Sequence, residues 1–251
     1  MKSIVAKRGS ESLDFAERWL RDGLQVLHPA LSAVQLTVDM TNALQQLEAL
    51  RRAGVPASPT HILVRAAARS LAVNPDLHQL IGSNSRTYPS RVDIGLSVTG
   101  ETFVTPVLIV EGADQKTVAE IASEVNNRVP DVQQAHLRML QTLRRWGWML
   151  PFGIMRRALL RALFTSPKFR RKGAGTFQVS TTPGDWGLTS SFSTAGVLIG
   201  GLVRSRVLVV DDQPVVRPSM LITLSCDHAV WDGRAAVRFM AGVKTEMERS
   251  S

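Results

Sequence analysis

The sequence predicts an α/β protein, a two-layer α+β sandwich in which helices pack on one mixed sheet. Strand-like and helix-like stretches are interspersed along the chain without the regular β-α-β alternation of a doubly wound fold. The runs "RVDIGLSV" and "FVTPVLIV", separated by the turn residues "TGET", read as a hairpin, so part of the sheet is antiparallel. A chain of 251 residues with 44% hydrophobic content is also long enough to bury a sizeable core in one domain.

In chain order, "LSAVQLTVDMT" alternates as a strand does. "TNALQQLEALRRAG" follows, with Met40, Leu44, Leu47 and Leu50 near helical spacing and Gly54 as its stop. In "ASPTHILVRAAARSLAVNP", Ser58 is a natural cap, Pro59 suits the first turn, and Asn74 with Pro75 ends the helix. After the hairpin, "DQKTVAEIASEV" sets Val118, Ile121 and Val125 on one face, with Asp114 as the expected cap. From Gly175 the strand signals return in "TFQVS", "AGVLIGGLV", "RVLVV" and "SMLITLS", with an Asp-Asp turn after the third. The last helix begins near Gly233 and carries Ala236, Met240, Val243 and Met247 on one stripe.

One stretch stands apart. Between Asp131 and Asp185 there is no acidic residue, and from 138 to 172 ten Lys and Arg mix with Trp146, Trp148, Met149, Phe152, Ile154 and other apolar side chains. This combination is typical of helices that lie on an anionic surface. The plainer expectation is a helical hairpin packed on the core with a solvated basic face.

A net charge of +9 favours an anionic partner, whether a phosphorylated cofactor, a membrane surface or nucleic acid. Nucleic acid is set aside, because neither zinc-finger spacing nor interleaved arginines and aromatics are present. Met1–Ser12 lacks the apolar core of a secretory signal, and the uncharged stretch Gly187–Val203 is too rich in Ser, Thr and Gly to span a membrane. With a single cysteine, Cys226, the expected location is cytoplasmic. No His, Cys, Asp or Glu cluster has metal-ligand spacing, so no metal is expected, and His28, His61, His78 and His136 read as structural.

The chemistry-bearing stretch is "LSCDHAVWDG", which places His228 and Asp232 four residues apart where a strand runs into a helix. The stretch resembles the active-site signature of the dihydrolipoamide acyltransferases of 2-oxo acid dehydrogenase complexes, a His-x-x-x-Asp-Gly element shared with chloramphenicol acetyltransferases. The similarity extends through "VDMT", "RAAARSLAVNPDL", "VDIGLSV", "VTPVLIVEGADQKTVAEIASEV" and "GTFQVS", in the family's order.

This resemblance implies a chloramphenicol acetyltransferase-like fold, a homotrimer with its sites at subunit interfaces, and coenzyme A or an acyl-CoA as substrate. It casts His228 as the general base that deprotonates a thiol or hydroxyl acceptor, a role that suits an imidazole. It makes Ser180, in "TFQVS", the donor that stabilises the oxyanion. Asp232 becomes the organiser of the histidine loop, and Gly233 lets the chain turn into the helix without a side chain in the way. Read without the resemblance, Asp232 is a helix cap, His228 a satisfied buried histidine, Ser180 an ordinary strand-end serine and Cys226 a small core residue.

The chain departs from the family pattern in several places. Ala229 stands where the common form has Arg, closer to the chloramphenicol enzymes. The segment 138–172 reads as an insertion, and no lipoyl domain, subunit-binding domain or apolar C-terminal anchor is expected. These departures imply a stand-alone trimeric domain that carries no lipoyl group, with a separate lipoylated protein as one candidate acceptor. A second reading is a non-catalytic trimeric scaffold or binding homologue, membrane-peripheral through the basic segment.

Overall fold

A computed structural model describes residues 18–19, 22, 26, 31–81, 86–100, 105–149, 152–164, 166–190, 194–228 and 230–249. The readings made for Met1–Ser12, His28, part of the "TGET" turn and Ala229 lie outside the described residues. Strand β1 (Leu31–Asp39) leads into helices α1 (Thr41–Arg52) and α2 (Pro59–Ala72). The short strands β2 (Leu80–Ile81) and β3 (Arg86–Thr87) pair with each other, and the hairpin β4 (Ile94–Ser97) and β5 (Val107–Val110) follows. Three helices come next, α3 (Val118–Trp146), α4 (Gly153–Phe164) and α5 (Pro167–Ala174). Strands β6 (Phe177–Thr181), β7 (Gly196–Gly200), β8 (Arg204–Val210) and β9 (Gln213–Asp227) and helix α6 (Gly233–Glu248) complete the described chain.

The main sheet has seven strands in the order β1-β9-β7-β6-β4-β5, with β8 paired to β9. Pairs β4–β6 and β6–β7 are parallel and the others antiparallel, so the sheet is mixed, as the sequence predicts. Its length of 15 residues lets β9 join β8 in its first half and sit between β1 and β7 in its second. The turn between β8 and β9 puts Asp211 and Asp212 at φ 50 and 60, the paired left-handed conformation that matches strand twist in a two-residue hairpin.

Alternation sorts the two faces of this sheet. Val38, Val179, Leu198, Ile222 and Leu224 join Leu63, Leu71, Ile121, Phe239 and Met240 of the helices in one core. Gln178, Ser180, Thr223 and Ser225 belong to the opposite face. The stripe on α6 is buried as expected, and α2 begins as predicted, with the Ser58 amide donating to His61 Nδ1 at 3.0 Å.

Two expectations are corrected. The cap of α3 is Thr117, not Asp114. Its hydroxyl accepts from the Glu120 amide at 3.2 Å, while the Glu120 carboxylate accepts from the Thr117 amide at 2.7 Å, and Asp114 falls in a separate 3-10 turn. This reciprocal pair satisfies two otherwise orphaned donors, which a lone Asp three residues earlier does not. The basic segment is also not a hairpin packed on the core. Helix α3 runs through Pro130 for 29 residues, its buried residues stop at Val125, and α4 has no buried residue at all.

What ties this segment to the sheet is polar. The Asp93 carboxylate, 2% exposed, accepts from Arg91 Nε at 2.6 Å, Arg171 Nε at 2.9 Å and the Gly112 amide at 3.1 Å. Burial works against its charge, but the bonds from Arg91 and Arg171 outweigh it and hold the carboxyl below the usual carboxylate range. Beside it the chain passes through Gly175 (φ 74), where an added Cβ would lie 2.5 Å from Asp93 O. One added at Gly95 would lie 2.2 Å from Ala174 O. Only glycine fits at either position.

Candidate active site

Strand β9 ends at Asp227, whose carbonyl accepts from the Val230 and Trp231 amides at 2.9 and 3.0 Å. This closed turn is where His228 sits, exposed, between the strand and α6. Its Nδ1 lies 3.1 Å from the Trp231 carbonyl oxygen. A carbonyl can only accept, so Nδ1 is the protonated nitrogen of the neutral ring, and in that form Nε2 keeps its lone pair.

The turn is held from below by residues the sequence did not mark. Trp231 is fully buried, stacks on Phe177 at 5.9 Å, tilts against Phe239 at 5.1 Å, and donates its indole N–H to Leu77 O at 2.9 Å. Gln79 Nε2 donates to Val230 O at 3.3 Å. The loop carrying His228 is thus strapped to segment 77–79, a long-range partnership that spacing within "HAVWDG" does not disclose. The aromatic residue inside the motif was its one visible sign.

Asp232 is exposed and accepts from the Ala235 amide at 2.7 Å, capping α6. It therefore shapes the loop by fixing where the helix starts. The reason expected for Gly233 is corrected, because an added Cβ there meets nothing within 4 Å and the residue is not in the left-handed region. Among the described residues nothing demands glycine at that corner.

Cys226 is buried in the core, and burial pushes its thiol up to about 11, so it is no thiolate nucleophile near neutral pH. Among the described residues no group of three or more His, Cys, Asp and Glu side chains could hold a metal ion. No described helix is long and apolar enough to cross a membrane.

Ser180 is half-buried near the end of β6. It is registered with Ile199 on β7, and Ile199 with Thr223 on β9. His228 lies five residues beyond Thr223 and two strands away from β6, which puts the two side chains roughly 15 Å or more apart. The single chain keeps His228, Asp232 and Trp231 together and leaves Ser180 at the other end of the neighbouring strands.

The profile of the family described as "2-oxoacid dehydrogenases acyltransferase (catalytic domain)" matches residues 26–142 and 191–251. His228 and Asp232 fall inside the match, whereas Ser180 and most of the basic segment fall in the gap. A dihydrolipoyllysine-residue succinyltransferase component of the 2-oxoglutarate dehydrogenase complex from Bartonella vinsonii subsp. berkhoffii is 27% identical over 204 residues, 79% of this chain. That alignment spans 42% of the relative's length, so the chain covers less than half of such proteins. Among solved structures, a probable dihydrolipoamide acetyltransferase from Listeria monocytogenes superposes with a TM-score of 0.72 at 18% identity, covering 98% of this chain and 97% of that one. A chloramphenicol acetyltransferase superposes at 0.51 with 14% identity, covering 94% and 99%. The fold is the one these proteins share, and the matched profile takes in both residues of the histidine turn. The chain belongs to the acyltransferase catalytic-domain family of the 2-oxoacid dehydrogenases.

Proposed function

We propose that this domain transfers an acyl group between coenzyme A and a thiol or hydroxyl acceptor, with His228 as general base. The observation that carries this reading is the 3.1 Å contact from His228 Nδ1 to the Trp231 carbonyl, which leaves an exposed Nε2 free to take a proton. Nε2 takes the acceptor's S–H or O–H proton, and the freed pair attacks the thioester carbonyl. The hydroxyl of Ser180 donates to the resulting oxyanion. Collapse of this intermediate expels the coenzyme A thiolate, which recovers the proton from the imidazolium. The scheme uses no metal, and its acceptor includes the dihydrolipoyl group of a separate protein.

The acetyltransferase of Azotobacter vinelandii supports this assignment, since its mechanism has been examined through a histidine, an asparagine four residues later and a serine about fifty residues earlier. His228, Asp232 and Ser180 have nearly the same spacing. The separation of Ser180 from His228 within one chain supports a homotrimer in which each site takes its histidine from one protomer and its serine from the next.

Two variants test both parts. His228→Ala is expected to lower acyl-CoA turnover by about a thousandfold or more, and Ser180→Ala by about a hundredfold. Mixed and reassembled, the two inactive proteins are expected to regain about a quarter of the sites, because one interface in four pairs an intact histidine with an intact serine. Turnover unaffected by His228→Ala removes the base. The absence of any turnover in the parent protein favours the scaffold reading. Failure to regain activity on mixing argues against a shared site.

A further inference from the structure

Helix α4 is built inside out. Arg156 and Arg157 turn inward to the buried Asp22, at 2.7 and 3.0 Å, and the Arg156 side chain is only 13% exposed. Leu160, Leu163 and Phe164 share that half-buried side. On the opposite arc of the same helix Ile154 is 75% exposed and Met155, Ala158, Leu159 and Ala162 are also exposed, with Arg161 as the one charged residue at the edge of that arc. A helix on a water-facing protein surface shows the reverse order.

The exposed apolar side chains continue next to α4 in Phe152, Met149 and Trp146. The same stretch of chain carries the exposed cations Arg138, Arg144, Arg145, Arg161, Lys168 and Lys172. Arg145 lies over the Trp146 ring at 5.7 Å. The absence of any Asp or Glu between 131 and 185 means that no acidic residue of this stretch offsets that charge. Most of the segment also lies in the gap of the family profile.

We infer that the outward face of α4, with the end of α3 and the turn between them, is a docking surface for an anionic lipid bilayer. Ile154, Leu159 and Phe152 enter the interfacial layer and the Arg and Lys of this stretch meet the lipid phosphates. The pattern fits a helix lying in the plane of the bilayer, and α4, with 12 residues, is too short to span one. A protein partner would need acidic residues set among apolar ones, whereas a bilayer offers both layers along its whole surface. This inference does not depend on the chemistry proposed for His228.

The test is sedimentation of the full chain with vesicles of equal parts phosphatidylglycerol and phosphatidylcholine, against phosphatidylcholine alone, at about 0.05 M and about 0.5 M salt. Binding is expected only with the anionic vesicles, and it weakens at high salt. Ile154→Glu combined with Leu159→Glu is expected to weaken binding at least tenfold while leaving the thermal unfolding midpoint unchanged, because neither side chain touches the core. Arg144→Gln with Arg145→Gln should cost about fivefold per residue at low salt and little at high salt. The inference is overturned if anionic vesicles bind no better than neutral ones, or if the Ile154 and Leu159 variant binds unchanged. It is also overturned if that variant instead lowers the oligomeric mass of the protein alone, which would make the face a contact between copies.

Discussion

Burial holds the imidazole of His78 neutral, bringing its pKa down to about 4 despite the attraction of Asp93 and Asp114. The folded state therefore binds this proton less readily than the unfolded chain, whose histidine titrates near 6.5. The stabilisation is complete above about pH 6.5 and is lost as pH falls from there toward 4, by roughly 3 kcal/mol in all. Urea unfolding at about pH 7 and about pH 5 should show His78→Gln losing about 2 kcal/mol less than the parent across that interval. Cys226 offers a second residue-level test. With its thiol pushed up to about 11 and its side chain in the core, it should react with a disulfide reagent at pH 8 only as fast as the protein opens. Trp231 carries more of the site's rigidity than the motif residues around it, and Trp231→Ala is expected to cost about 4 kcal/mol and to loosen the His228 turn.

Helix α6 starts where it does because Asp232 accepts the Ala235 amide, and that start fixes the length of the turn bearing His228. Replacing Asp232 by Ala should cost about 1 kcal/mol and lower turnover. Asp232→Asn, whose amide oxygen caps equally well, should leave the unfolding midpoint near that of the parent. A turnover loss in the Asn variant as large as in the Ala variant would mean that the charge, not the cap, matters. Elements like this one were legible in the sequence because cap, apolar stripe and flanking strand agree within a few residues. The path of α3 was not. A proline such as Pro130 ordinarily ends a helix, yet here its missing hydrogen bond falls on an exposed turn that water can reach, and the Gln, Leu and Arg that follow are good helix formers. Nor could spacing show that the apolar side of α4 faces out, since the acid that turns its arginines inward, Asp22, is more than 130 residues away.

At the scale of the molecule, the fold class was readable because a two-layer sandwich follows from which elements occur and in what order. The site was only half readable, because the offset between Ser180 and His228 depends on the register of three strands from distant parts of the chain. The projecting β8–β9 hairpin shows Val207, Val209 and Val216 to solvent, with Val207 and Val216 paired across it. This exposed apolar stripe is a candidate contact surface for the proposed trimer. Val207→Asp with Val216→Asp is expected to lower the mass seen by analytical ultracentrifugation to that of one protomer and to remove turnover while each copy stays folded. Gly95 and Gly175 have a consequence here. They let the end of α5 and the start of β6 lie directly against the backbone of residues 93–95, with no room for a side chain between them. In the proposed trimer, a rotational axis relating three copies would aim all three α4 helices the same way. Contacts too weak to hold singly would act together, and every acceptor entrance would stand at one height above the lipid.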